Sequence, residues 1–282
     1  MIEGRWTRLA LRLWVVLVLL FLFVPIATIC LYAFNKSNVQ SWPIKGLSTK
    51  WFSVAWNDSQ VRSALVLSLK AAAFSTIVAV LLGSAAAFGV HRFRFFGREA
   101  ISLVLVLPLA LPGIITGIAL NSAFQFVGID LSLLTIVIGH ATFCVVVVYN
   151  NVLARLRRSS PSLLEASMDL GADGWQTFRF VTWPVLSTAL IAGGLLAFAL
   201  SFDEVIVTYF TAGAQNTLPL LILGYIRLGQ QLPIVNVLAL AIIALTAVPV
   251  ALAQRLMRDT GVLRRGAGNV TEAVESAQIT AV

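Results

Sequence analysis

The sequence predicts an all-α, polytopic membrane protein with six transmembrane helices. The 282 residues are 59% apolar and only 11% charged, with a mean hydropathy of +0.92. Soluble domains are about 45–50% apolar and about 25% charged, so this chain lacks the polar surface to be covered by water. Six apolar runs approach the ~20 residues that a helix needs to cross a bilayer core. Basic residues gather in alternate connecting segments, as insertion of a multi-spanning chain requires.

The elements follow in order. Residues 1–12 form a short cytoplasmic N-terminus bearing Arg5, Arg8 and Arg12. The tetrapeptide Ile2-Glu3-Gly4-Arg5 matches a common protease-linker sequence. The first apolar run, 13–34, is longer than the ~7–15-residue core of a cleaved signal peptide and has no small-x-small cleavage site, so it stays as a first transmembrane helix. An extracytoplasmic segment, 35–63, is polar but carries Trp42, Trp51 and Trp56, which suit a membrane interface. A core over 64–257 supplies five more spans, at about 64–90, 100–126, 133–153, 185–210 and 235–257. The third contains Pro108, Pro112, Gly113 and Gly117, which predict a kinked, closely packed helix. The stretch 218–229, LPLLILGYIRLG, is apolar yet too short to span, and reads as an interfacial or re-entrant helix. The tail 258–282 has no periodicity and is expected to be disordered.

The twenty Lys and Arg residues fix the orientation. With the N-terminus inside, fourteen fall on inner segments: Arg5, Arg8, Arg12, Arg92, Arg94, Arg98, Arg155, Arg157, Arg158, Arg179, Arg255, Arg258, Arg264 and Arg265. Five fall outside (Lys36, Lys45, Lys50, Arg62 and Arg227), and Lys70 lies within a span. Both termini are therefore expected to be cytoplasmic. The net charge of +8 reports this topology. Without a basic stripe interleaved with aromatics it does not point to nucleic acid. Cys30 and Cys144 both lie in apolar runs and offer neither a disulfide framework nor a metal-ligand spacing, so no metal site is expected.

Between the fourth and fifth spans, residues 160–184 are too patterned for a plain connector. Ser160 is a good N-cap and Pro161 a natural first helical residue. Leu163, Leu164, Met168 and Leu170 form an apolar stripe, and Gly171 can end the helix in the left-handed conformation. A second short helix is expected from Gly174, broken by Pro184 before the fifth span. A helix–Gly–helix bracket of this kind can plug into a groove on a soluble partner, or can be a plain amphipathic linker.

Here the sequence resembles a known family. Glu165-Ala166-Ser167, Gly171 four residues on, and Trp183-Pro184 about a dozen later are similar to the EAA signature of permease subunits of binding-protein-dependent ATP-binding-cassette importers. Ser167 replaces the usual second alanine and Trp183 the usual leucine. The segments LYAFNKS, LPLALPGIITGIAL, GHATFCVVVVYN, EASMDLGA and LAFALSFDEVIVTYF resemble spermidine/putrescine-type permeases. The resemblance implies the fold of a type I importer permease with a cytoplasmic coupling helix. It implies a non-catalytic transport subunit, with Glu165, Ala166, Ser167, Asp169, Gly171 and Ala172 coupling it to an ATPase. The implied partners are a second six-span permease, two ATPase subunits that carry ATP and Mg, and an extracytoplasmic solute-binding protein. No G-x-x-x-x-G-K-[ST] occurs in this chain, so no nucleotide cofactor is expected on it. The implied solute is a polyamine or related amine; opines, 4-aminobutyrate and aminoethylphosphonate are the alternatives within the same mechanism.

A charge at mid-bilayer costs on the order of 2.5–3.5 kcal/mol on insertion scales and needs a reason. Lys70, Asp203 and Glu204 are such charges. On a continuous helix adjacent residues point about 100° apart. Glu204 then shares a small, polar face with Gly193, Ala197, Ser201 and Thr208, which suits a translocation path. Asp203 shares a more apolar face with Ala192, Leu196, Ala199 and Phe210, and is expected to pair with Lys70. His140 is expected to be packed within the bundle. An ion-coupled secondary transporter is the alternative of a different class; it would usually show ten or more spans or an inverted repeat.

Overall fold

The computed structural model describes residues 6–93, 96–160, 162–229 and 231–255 in full, and helical backbone alone at 5, 161 and 256–279. Among the described residues the regular elements are helices, in the order α1 (Arg5–Ala33), α2 (Lys50–Asn57), α3 (Ser59–Arg92), α4 (Arg98–Ala110), α5 (Gly113–Val127), α6 (Leu133–Arg158), α7 (Pro161–Asp169), α8 (Gly174–Thr177), a π-helical turn (Phe178–Thr182), α9 (Trp183–Phe202), α10 (Ile206–Thr211), α11 (Leu218–Leu228) and α12 (Leu232–Ile279). The tail expected to be disordered at 258–282 lies outside the fully described residues. Two compact units are present: Met1–Leu65 with Leu218–Ala244, and Val66–Thr217 with Leu245–Val282.

In the first unit, α1 has the hydropathy of a membrane span but buries none of it against this chain. The segment after it folds back through an antiparallel bridge between Asn35 and Leu47. The Trp51 indole N–H donates to the Asn35 carbonyl at 2.9 Å, tying α2 to that bridge. Trp42 and Trp56 remain exposed. The apolar stretch near 218–229 forms α11, eleven residues long, about 16 Å at 1.5 Å per residue and so short of a bilayer core.

The second unit is built round α6. Its membrane-length window is 61% buried, the highest share among the five single-helix spans of the described residues. Val148, Tyr149, Val152 and Leu156 of α6 pack with Ala79 and Ala87 of α3, Leu186 and Ala197 of α9, and Val207 of α10. Small residues set the spacing, as helix packing without a hydrophobic drive demands. A Cβ at Gly83 would lie 2.8 Å from the Val145 carbonyl oxygen, so α3 and α6 meet backbone to backbone. Tyr149 Oη and Ser102 Oγ lie 2.8 Å apart, joining α6 to α4. The Asn121 amide donates to the Phe210 carbonyl at 2.6 Å, joining α5 to α10.

Among the described residues five helices, or six spans with a bent pair taken as one, are long and apolar enough to cross a membrane. Three departures from the expected helices matter. The third span is broken, with α4 and α5 meeting at 103°. Pro112 forces the preceding Leu111 out of the helical region, to ψ 141°, whereas Pro108 is carried within α4. Second, Pro184 does not break the chain before the fifth span; helix runs from Gly174 to Phe202 through the π turn. Proline's ring clashes with the carbonyl four residues back, and a π turn locally resets that register. Third, the fifth span is interrupted at residues 203–205, between α9 and α10.

Candidate functional site: a docking bracket and a broken span

The bracket is assembled by local capping. Ser160 Oγ accepts the Ser162 N–H at 3.3 Å, and α7 begins at Pro161. Gly171 adopts φ +78°, and the Ala172 N–H returns to the Ser167 carbonyl at 3.1 Å, the six-residue closure of a Schellman turn. Asp173 Oδ1 then accepts the Gln176 N–H at 2.7 Å while Gln176 Oε1 accepts the Asp173 N–H at 3.0 Å. This capping box starts α8, and its D-x-x-Q spacing is a signal in the sequence beyond the start expected at Gly174. Ser167 and Thr177, both buried, lie 2.7 Å apart through their hydroxyls and hold α7 against α8.

Of the residues implied for coupling, Glu165, Ala166, Asp169 and Gly171 are exposed, Ala172 is half-buried, and Ser167 is inside the bracket. Of the stripe predicted at Leu163, Leu164, Met168 and Leu170, Leu164 is half-buried and the other three are exposed, Leu170 to 89%. Behind the bracket lies a cavity of about 740 Å³, walled by Phe88 of α3, Leu156 of α6, Leu164 of α7 and Phe178 of the π turn.

The second feature is the break at 203–205. Asp203 closes α9, its N–H bonded to the Ala199 carbonyl at 3.3 Å, and its side chain is exposed. Glu204 is half-buried and Oε1 accepts the Val207 N–H at 2.9 Å, capping α10. The environments are thus the reverse of those expected from a continuous helix. The same break removes the expected ion pair: among the described residues nothing joins Lys70 to Asp203, and both side chains are exposed in the isolated chain. The small stripe is not an open face either. Gly193, Ala197, Ser201 and Thr208 are all buried, and a Cβ at Gly193 would lie 3.4 Å from Val148 Cα of α6. The helical-wheel argument failed because it assumed one unbroken helix through Thr208.

Ser201 and Thr208 instead hold His140 of α6. Nδ1 lies 2.7 Å from Ser201 Oγ and Nε2 lies 2.8 Å from Thr208 Oγ1, with the ring fully buried. Among the described residues no group of three or more His, Cys, Asp or Glu side chains converges to hold a metal ion.

Comparison with known proteins agrees with this architecture. Residues 79–261 match the family described as binding-protein-dependent transport system inner membrane component. The chain is 35% identical over 274 residues to the putrescine transport system permease protein PotI of Escherichia coli K12, covering 90% of this chain and 96% of that one. It is 34% identical over 241 residues to the spermidine/putrescine transport system permease protein PotC of the same organism, covering 85% and 90%. A bacterial ABC transporter involved in import of the acidic polysaccharide alginate shares the fold, with a TM-score of 0.65 at 17% identity, over 90% of this chain and 96% of that one. This chain is a multi-pass membrane protein of the binding-protein-dependent transport system inner membrane component family, a permease subunit of an ABC importer.

Proposed function

We propose that this permease forms half of the membrane path for a polyamine or a related amine, and that Asp203 is the residue that meets the solute's ammonium group. The supporting observation is the carboxylate of Asp203, exposed where the fifth span is interrupted. A helix C-terminus carries partial negative charge, and unwound backbone within a span is tolerated where it lines a cavity. Interrupted spans in transporters commonly place their substrate and ion sites at such breaks. The two relatives, permeases for putrescine and for spermidine/putrescine, point to the same solute class. Fold alone would not, since an alginate importer shares it.

In this reading α7 and α8 dock onto an ATPase subunit on the cytoplasmic side, where the basic residues also place both termini. Exposed Leu163, Met168 and Leu170 on a segment too polar to enter lipid are the apolar part of that surface. A second permease would complete the path, and a solute-binding protein would deliver the amine. Hydrolysis of ATP belongs to the ATPase, and this chain transmits its motion through the bracket.

The deciding experiment is uptake by the complete transporter in proteoliposomes, comparing spermidine, putrescine, an opine and 4-aminobutyrate. The expected result is ATP-dependent uptake of a polyamine, with the half-saturating concentration raised at least tenfold by Asp203→Asn. Uptake of only a zwitterionic or anionic solute, or indifference to Asp203→Asn, would refute the assignment.

A further inference from the structure

His140 is fully buried in α6 and joins both arms of the interrupted fifth span. The direction of its bonds is determined. The single hydroxyl proton of Thr208 goes to the Glu204 carbonyl, at 2.7 Å. Thr208 Oγ1 can therefore only accept from His140, so Nε2 carries a proton. In the neutral ring Nδ1 is then an acceptor, and Ser201 donates to it. The chain runs one way, from Ser201 at the end of α9, through the ring, to Thr208 of α10 and on to the backbone of Glu204.

A break inside a span frees backbone groups that lipid cannot satisfy. Here neither proline nor glycine lies between Phe202 and Ile206, so local sequence does not enforce the break. Asn121 and Thr135 hold α10 from other helices, but the contact that reaches both arms is a ring on α6 with one donor and one acceptor, each matched to one arm. The two residues between those arms that carry charge are Asp203 and Glu204.

We propose that His140 is a positioning residue for solute recognition: it clamps α9 and α10 across the break and so fixes where Asp203 presents its carboxylate. It touches no solute. The proposal rests on the reading of Asp203 given above, and its test separates the two.

The test uses the complete transporter with spermidine as the probe. His140→Leu removes both bonds and is expected to raise the half-saturating spermidine concentration about tenfold, the size of a lost buried hydrogen bond, while the maximal rate is retained. His140→Gln, whose amide keeps one donor and one acceptor, is expected to recover most of that loss. Combined with Asp203→Asn, His140→Leu adds nothing further, since it acts through Asp203. A second measurement needs no solute. With Cys30 and Cys144 replaced by alanine, Asp203→Cys is labelled with a cationic thiol reagent; His140→Leu changes the labelling rate several-fold and His140→Gln does not. If His140→Leu fails to assemble, Ser201→Ala, which deletes only the donor to Nδ1, replaces it in both measurements. Unchanged labelling would overturn the clamp, as would effects of His140 and Asp203 that simply add where Asp203→Asn itself impairs uptake. An indifferent Asp203→Asn together with altered labelling would overturn the solute assignment and leave the clamp standing.

Discussion

Ser167 and Thr177 face each other across the bracket with their hydroxyl oxygens 2.7 Å apart, both screened from solvent. Ser167 stands where the importer signature has an alanine, and its hydroxyl makes the contact between α7 and α8 in this chain a directional one. Deleting one hydroxyl strands the other. Ser167→Ala is expected to destabilise the bracket by about 1–3 kcal/mol, and Ser167→Ala with Thr177→Val to recover most of it, because two matched apolar groups leave nothing unpaired. Protease sensitivity of the 160–184 segment in the purified complex measures both.

Gly171 has φ +78° and open space round its Cβ position, so a substitution there meets backbone strain and no clash. Asparagine visits this region readily, whereas a β-branched residue costs more than the ~1–2 kcal/mol typical of left-handed L-residues. Gly171→Asn is expected to transport normally. Gly171→Val should insert in the membrane yet fail to couple ATP hydrolysis to uptake. Equal uptake by the two variants would remove the turn from the coupling path.

Ala166 is exposed on α7, so a large side chain there should leave the subunit folded while blocking its proposed partner. Ala166→Trp is expected to purify in normal yield without the ATPase subunit. Copurification at the wild-type ratio would place docking elsewhere.

Gly83 in the second unit is hemmed in by backbone. Its added methyl would press on the Val145 carbonyl and lie 3.0 Å from Val148 Cβ, and backbone cannot step aside as a flexible side chain can. Overpacking of this kind typically costs about 1–3 kcal/mol. Gly83→Ala should lower the thermal midpoint of the purified subunit, whereas Gly89→Ala, with nothing near its Cβ position, should not.

The inferred orientation is tested by cysteine labelling. With the native cysteines replaced, Asn38→Cys should react from outside intact cells and Gly266→Cys only after permeabilisation. The reverse pattern would invert the fourteen-to-five assignment.

What could be read from the sequence was whatever local chemistry decides. Ser160-Pro161 begins a helix and Gly171 ends it at the places expected, because capping and left-handed turns involve residues a few positions apart. Pro112 signalled a disturbance, although its size, a 103° bend, depends on what the two arms pack against. The interruption after Phe202 left no local trace: it is stabilised by His140, more than sixty residues earlier. From that one miss followed the mistaken faces of Asp203 and Glu204, the mistaken exposure of the Gly193–Ala197–Ser201–Thr208 stripe, and the missing Lys70 pair.

The π turn at Phe178–Thr182 carries a geometric consequence for how such a subunit is aimed. A π turn holds about one residue more than the α turn it replaces. One residue is roughly 100° of rotation and about 1.5 Å of advance along a helix. The bearing of α7 and α8 about the axis of α9 is therefore set by counting residues between Thr177 and Trp183. Deleting any one of them would leave every helix intact and every capping bond available, yet swing the bracket about a quarter-turn off target. Length here is a steering parameter, and a single-residue deletion should be more damaging than most substitutions at the same positions.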